Sequence, residues 1–162
     1  MFKKKPLLYN RSAAARVLKI SHNLILRFEE WANCVFIIIK GQSPRFWSKQ
    51  DYRNNFVEFR KQQSKYYEVA SWSKGNFEVW NNKSSYKLKA LQDAIQCPCD
   101  DYNNQQQAFK GKGCCKHGYA VLSFLGFDRL SEYIENHLWV NNDAEEIDYD
   151  EANEYIFGAT HW

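Results

Sequence analysis

Four of the chain's five cysteines fall between residues 97 and 115, beside a histidine, and that clustering constrains the fold more than any other feature. Cys97-Pro98-Cys99 and Cys115-Lys116-His117 form two close pairs of donors, separated by a segment able to fold back. A secreted disulfide framework would spread its cysteines and pair them all, so an odd, clustered set points to metal instead. Zinc takes about four nitrogen or sulfur ligands in a tetrahedron, and a site filled entirely by protein is structural. Cys97, Cys99, Cys115 and His117 are therefore the expected ligands of one structural Zn2+. Pro98 stiffens the first knuckle, and the second pair lies at an expected helix start, where the dipole and free N–H groups favour thiolate. Cys114 could replace Cys115 as the third ligand; a small buried residue is the preferred role for it. Cys34, within an apolar run, reads as core. His137 and His161 read as surface histidines.

The rest of the pattern alternates between helical and strand periods. A helix is expected behind Ser12 as N-cap, and a second behind Ser21, with Leu24, Phe28 and Trp31 on one face. The alternation of Leu24, Leu26 and Phe28 fits a strand nearly as well. Val35–Lys40 and Arg45–Ser48 read as a hairpin around Gly41-Gln42-Ser43-Pro44. Ser48-Lys49-Gln50-Asp51 resembles a capping box for a helix presenting Tyr52, Phe56 and Phe59 and ending near Gln63. Tyr66–Trp72, Phe77–Trp80 and Ser85–Leu91 read as a three-stranded meander with turns at Lys74-Gly75-Asn76 and residues 81–84. Residues 100–113 read as a polar loop, Cys115–Phe124 as a packed helix halted by Gly126, and Leu130–Leu138 as a further helix. Residues 141–150 read as an acidic loop, with 149–157 as a weakly docking end.

The Cys-x-Cys, variable loop and Cys-x-His order resembles the SWIM zinc finger, whose arrangement is strand–strand–helix. The likeness extends through Cys97 to Tyr102 and Cys115 to Leu122, and with the preceding strands covers about residues 66–125. It implies zinc binding and a role in DNA binding or protein–protein contact, not catalysis. The run from Ala14 to Ser21 resembles the opening of an excisionase or MerR-like helix-turn-helix, and the element order matches over about residues 11–62. That resemblance implies a recognition helix in the major groove with His22, Asn23 and Arg27 facing bases, and a hairpin wing along the backbone. Lys40, Arg45, Lys49 and Arg53, with Arg11 and Lys19, would then meet phosphates.

Charge agrees with such a partner. The net charge of +3 hides 18 Lys/Arg against 7 Asp/Glu in residues 1–96, a balance of +11. Residues 97–162 carry 4 against 12, a balance of −8. A basic half fits a polyanion, here double-stranded DNA, while the acidic end reads as solvated, or as a cover for the basic half. Neither an adequate signal peptide nor a membrane span is legible, so the cytoplasm is expected. No Walker loop, dinucleotide glycine pattern or His-Glu-x-x-His helix is present, and the chain is not expected to be an enzyme. The expected fold is α+β: a helix-turn-helix-like basic unit over 1–63, a SWIM-like zinc module over 64–126, and a C-terminal helix with acidic tail over 127–162, packed as one body. The expected function is DNA binding, in transcription or in a mobile element; the alternative is a zinc-stabilised adaptor that meets a protein partner through the zinc module.

Overall fold

The computed structural model describes residues 7–143, and the side chains of 7–137. The fold is mixed α+β, as expected, with two antiparallel sheets. Helix α1 (Arg11–Leu18) is capped by Asn10 rather than Ser12; the Ala13 N–H donates to Asn10 Oδ1 at 2.8 Å. Lys19 ends it in the left-handed region, φ 54°. The chain then diverges from the helix-turn-helix expectation. Only a 3-10 turn (His22–Leu24) stands where the second helix was expected, and Ile25–Glu30 is strand β1.

Strand β1 pairs with β2 (Cys34–Ile39), and β2 with β3 (Arg45–Ser48), so the expected wing hairpin is two strands of a three-stranded sheet. The physical reason lies in β2, whose β-branched run supplies a full edge for pairing. A register shift between Ile25 and Arg27 makes Leu26 an extra residue, which sets Ile25 and Phe28 three apart on the inner face and imitates helical spacing. Cys34 is half-buried and alternates onto the outer face, with Val35 inward, so it is not a core residue. Helix α2 (Lys49–Ser64) follows, capped by the Ser48 hydroxyl, and the inner face closes around Val35, Ile37, Ile39 and Tyr52.

The second sheet runs β4 (Glu68–Ser73), β5 (Asn76–Trp80), β6 (Ser85–Ala90) and β7 (Ile95–Gln96), one short strand more than the expected meander. β7 leads straight into Cys97. Asp100–Ala108 is helix α3, not the expected loop; α4 (Lys116–Phe124) and α5 (Leu130–Asp143) complete the described fold. Gly126 takes φ 85° after α4, as a helix stop requires. Residues 141–143 continue α5, whereas the rest of the acidic stretch, the 149–157 segment and His161 lie outside the described residues.

Helix α2 joins the first core to the elements around the second. Tyr52 sits in the first, while Phe56 meets Phe109 edge-on at 5.6 Å and Arg60 holds Asp101 at 2.7 and 3.0 Å. Lys61 reaches Asp128 at 2.8 Å. The Tyr52 hydroxyl is buried with no hydrogen-bond partner among the described residues, and burial, with Asp51 nearby, pushes its pKa up. Removing an unsatisfied buried hydroxyl while keeping the ring relieves a desolvation penalty. Tyr52→Phe is expected to leave stability unchanged or raise it by up to about 1 kcal/mol, read from denaturant midpoints. A loss of more than that amount would reveal a hydrogen bond to this hydroxyl.

Candidate metal centre

Two knuckles build the site. Pairing of β7 with β6, through Lys89↔Gln96 and Ala90↔Ile95, delivers Cys97 and Cys99 at the sheet's end. Cys99 is extended (φ −74°, ψ 154°) and caps α3, its Sγ accepting from the Tyr102 N–H at 3.4 Å. Cys115 is likewise extended and caps α4, accepting from the Gly118 N–H at 3.4 Å. Both thiols thus face helix N-termini, where the dipole favours thiolate. His117 follows in the first turn of α4.

The donor atoms of Cys97, Cys99, Cys115 and His117 all lie within 4.8 Å of one another, and all four residues are buried. His117 turns Nδ1 toward the sulfurs, 3.6 Å from Cys97 and 3.8 Å from Cys115. These residues can hold one metal ion. Cys114 is also buried but lies outside the group: its Sγ contacts the Cys115 carbonyl at 3.7 Å and packs toward Gly118. Burial pushes the Cys114 thiol well up, as suits a neutral packed residue.

The electrostatics of the group call for a cation. Hydrogen bonds from Cys115 and then Cys97 hold Cys99 far below the usual thiol range. Its neighbour pays in the opposite direction: hydrogen bonding to Cys97 and then Cys99, together with burial, pushes Cys115 far up. Without a counter-ion, three buried sulfurs this close together oppose one another's ionisation. A divalent ion would let all three ionise.

Residues that the sequence reading did not single out hold the ligands in place. The His117 ring stacks on Tyr86 at 4.1 Å and meets Tyr67 edge-on at 4.7 Å. Its Nε2 is buried without a hydrogen-bond partner among the described residues, so aromatic packing, not the usual polar outer shell, orients this ring. Gln105, buried on α3, accepts from the Cys114 N–H at 2.9 Å and donates to Asp101 at 3.0 Å. The only sequence signal for Tyr67 and Tyr86 was their place in the meander. Gln105 gave none.

The residues expected to meet DNA do not form one surface. His22 and Asn23 are exposed on the 3-10 turn, and Arg27 stands on the outer sheet face, ion-paired with Glu29. Lys40 and Arg45 flank the β2–β3 turn. Lys49 and Arg53 belong to α2 behind the sheet; Lys49 pairs with Glu30 at 2.8 Å, and Arg53 bonds Gln50 at 2.7 Å and Tyr9 at 3.2 Å. With no helix behind Ser21, there is no recognition helix to carry His22, Asn23 and Arg27. His137 is half-buried against Tyr133, its Nδ1 3.0 Å from the Tyr133 carbonyl, rather than a plain surface residue. Among the described residues, no helix is long and apolar enough to cross a membrane. No protein-family model, curated protein or solved structure matches the chain.

Proposed function

We propose that the chain is a zinc-containing DNA-binding protein, not an enzyme, in which the metal sets the fold and the basic half makes the contacts; transcription control or a mobile element is its setting. Three sulfurs and one imidazole suit zinc. Bond lengths of about 2.3 Å to sulfur and about 2.0 Å to nitrogen give tetrahedral S···N edges of about 3.5 Å, near the 3.6 and 3.8 Å found here. Four buried protein donors leave no open position for substrate or activated water, which speaks for a structural ion. The resemblance of residues about 66–125 to the SWIM finger agrees.

The observation that carries the DNA reading is the charge segregation, 18 basic against 7 acidic residues up to residue 96. Metal analysis of the purified chain is expected to give one zinc per molecule. Binding to genomic duplex fragments is expected at low salt and should fall steeply as salt rises, with a log–log slope of about −4 to −5 if five phosphates are met. Removing the charges of Lys40 and Arg45 should flatten that slope. Absence of binding to duplex and to single-stranded fragments alike, at low salt, would defeat the DNA reading and leave the metal assignment standing.

A further inference from the structure

No element among the described residues covers the outer face of the three-stranded sheet, and its composition is not that of an ordinary solvated face. Helices α1 and α2 both pack on the inner face with Ile25, Val35, Ile37 and Ile39. Strand alternation and register put Arg27, Glu29, Phe36, Ile38 and Phe46 on the other side. Trp31 follows β1 and stacks on Phe36 at 5.9 Å, while Phe46 lies 5.2 Å from both rings. This aromatic cluster is wet: Trp31 is 48% and Phe46 60% exposed. Exposed, contiguous aromatic surface marks a binding site.

Charge identifies the occupant. The Arg27 guanidinium lies 5.9 Å from the Phe36 ring centre, and exposed Lys40 stands where β2 enters its turn, whereas Arg45, paired opposite Ile37, belongs to the inner side. Glu29 and Glu30 are the only acidic residues from 25 to 48, and both are engaged by cations. Glu29 accepts from Arg27 Nε at 2.7 Å and from the Trp31 indole N–H at 3.2 Å, which fixes the indole while half of the residue remains exposed. Aromatic faces ringed by cations are the means by which proteins hold unstacked bases, since every base offers a π-face and a phosphate. Bases within a duplex have their faces occupied by their neighbours. A flat sheet face also needs no recognition helix.

We propose that this face binds an unpaired stretch of nucleic acid, its bases stacking on Trp31 and Phe46 and its phosphates meeting Arg27 and Lys40. The proposal rests on the nucleic-acid reading above and narrows it to single strands and to one surface. The test uses the full, metal-loaded chain with a labelled mixed-sequence DNA oligonucleotide and its annealed duplex. The single strand is expected to bind more tightly, and Trp31→Ala and Phe46→Ala each to weaken it about tenfold or more. Trp31→Phe, which keeps a π-face, should retain most of the binding. Tyr66→Ala and Trp72→Ala, at exposed aromatics outside this face, should change nothing. Metal content and circular dichroism would verify that each variant is folded.

Unchanged affinity in Trp31→Ala and Phe46→Ala would overturn the assignment of the face and leave nucleic-acid binding intact. Binding to duplex alone would overturn the single-strand proposal with the DNA reading intact. Binding to neither, at low salt, would defeat both and leave the aromatic face to a protein partner.

Discussion

Replacing Cys99 with serine, or His117 with alanine, is expected to abolish stoichiometric metal binding and to unfold the region from β4 to α4, whereas Cys114→Ser should keep both. The difference follows from what each residue holds. Cys99 caps α3 and Cys115 caps α4, so one ion there would tie two helices to the end of a sheet whose own last strand is two residues long. The second core is built around these ligands: Cys97, Cys99 and Cys115 are themselves members of it, alongside Val79, Leu88 and Leu122. Structural zinc contributes roughly 10–16 kcal/mol in zinc-finger peptides, as much as the roughly 5–15 kcal/mol of a domain's whole stability. Losing one ligand of four therefore removes most of what keeps this region folded. Cys114→Ser only places a hydroxyl in a buried site, at about 1–3 kcal/mol. Metal content and thermal unfolding with and without a chelator check this, and a Cys114→Ser variant as damaged as Cys115→Ser would reverse the choice of third ligand. Acid should act in the same direction. The ion binds thiolates, and Cys115 holds its proton strongly when no ion is present, so loading must displace protons. The metal-linked part of stability is thus present at neutral pH and is lost as pH falls.

The four residues that could hold an ion were legible in the sequence because their identity and spacing carry the chemistry directly. Two soft pairs, each straddling one residue, admit few other readings. The cap role of Cys99 was not legible, nor was helix α3, because its residues have almost no apolar periodicity: Tyr102 and Gln105 are its buried positions, and one of them is polar. That helix exists through its ends. Asp100 and Asp101 favour its N-terminus, Cys99 caps it, and Gln105 is satisfied by the backbone of a distant knuckle. The N-terminal unit failed for a different reason. Leu24, Phe28 and Trp31 do recur at helical spacing, but they share no face: Leu24 lies in the 3-10 turn, Phe28 on the inner side of β1 and Trp31 with the outer aromatics, and only the partner strand reveals this. Expectations tied to a recognition helix fell with it, whereas the charge that motivated them did not.

The same knuckle predicts a second large effect, from the smallest possible change. Gly113→Ala is expected to cost about 2–4 kcal/mol and to weaken metal retention, although Gly113 touches no ligand. A Cβ built at Gly113 would lie 2.4 Å from Gln105 Cβ and 3.2 Å from the Gln105 backbone carbon. Gln105 Oε1, at 3.0 Å, could swing aside, but the Cβ and main chain of Gln105 cannot, so no rotation of a flexible end relieves the clash. Helix α3 must move away from residues 113–115. That motion breaks the Cys114 N–H bond to Gln105 Oε1, leaving a buried donor and acceptor unpaired, and it separates Cys99 at the start of α3 from Cys115. Gly41 provides the contrast. It has φ 77° in the β2–β3 turn with nothing within 4 Å of a built Cβ, so Gly41→Ala meets backbone strain alone, about 1 kcal/mol. Thermal midpoints and competition with a metal chelator separate the two: Gly113→Ala should lower both the midpoint and metal retention, and Gly41→Ala only the midpoint, and less. Equal effects would mean that α3 does not hold the two knuckles together, and that the ion alone sets their distance.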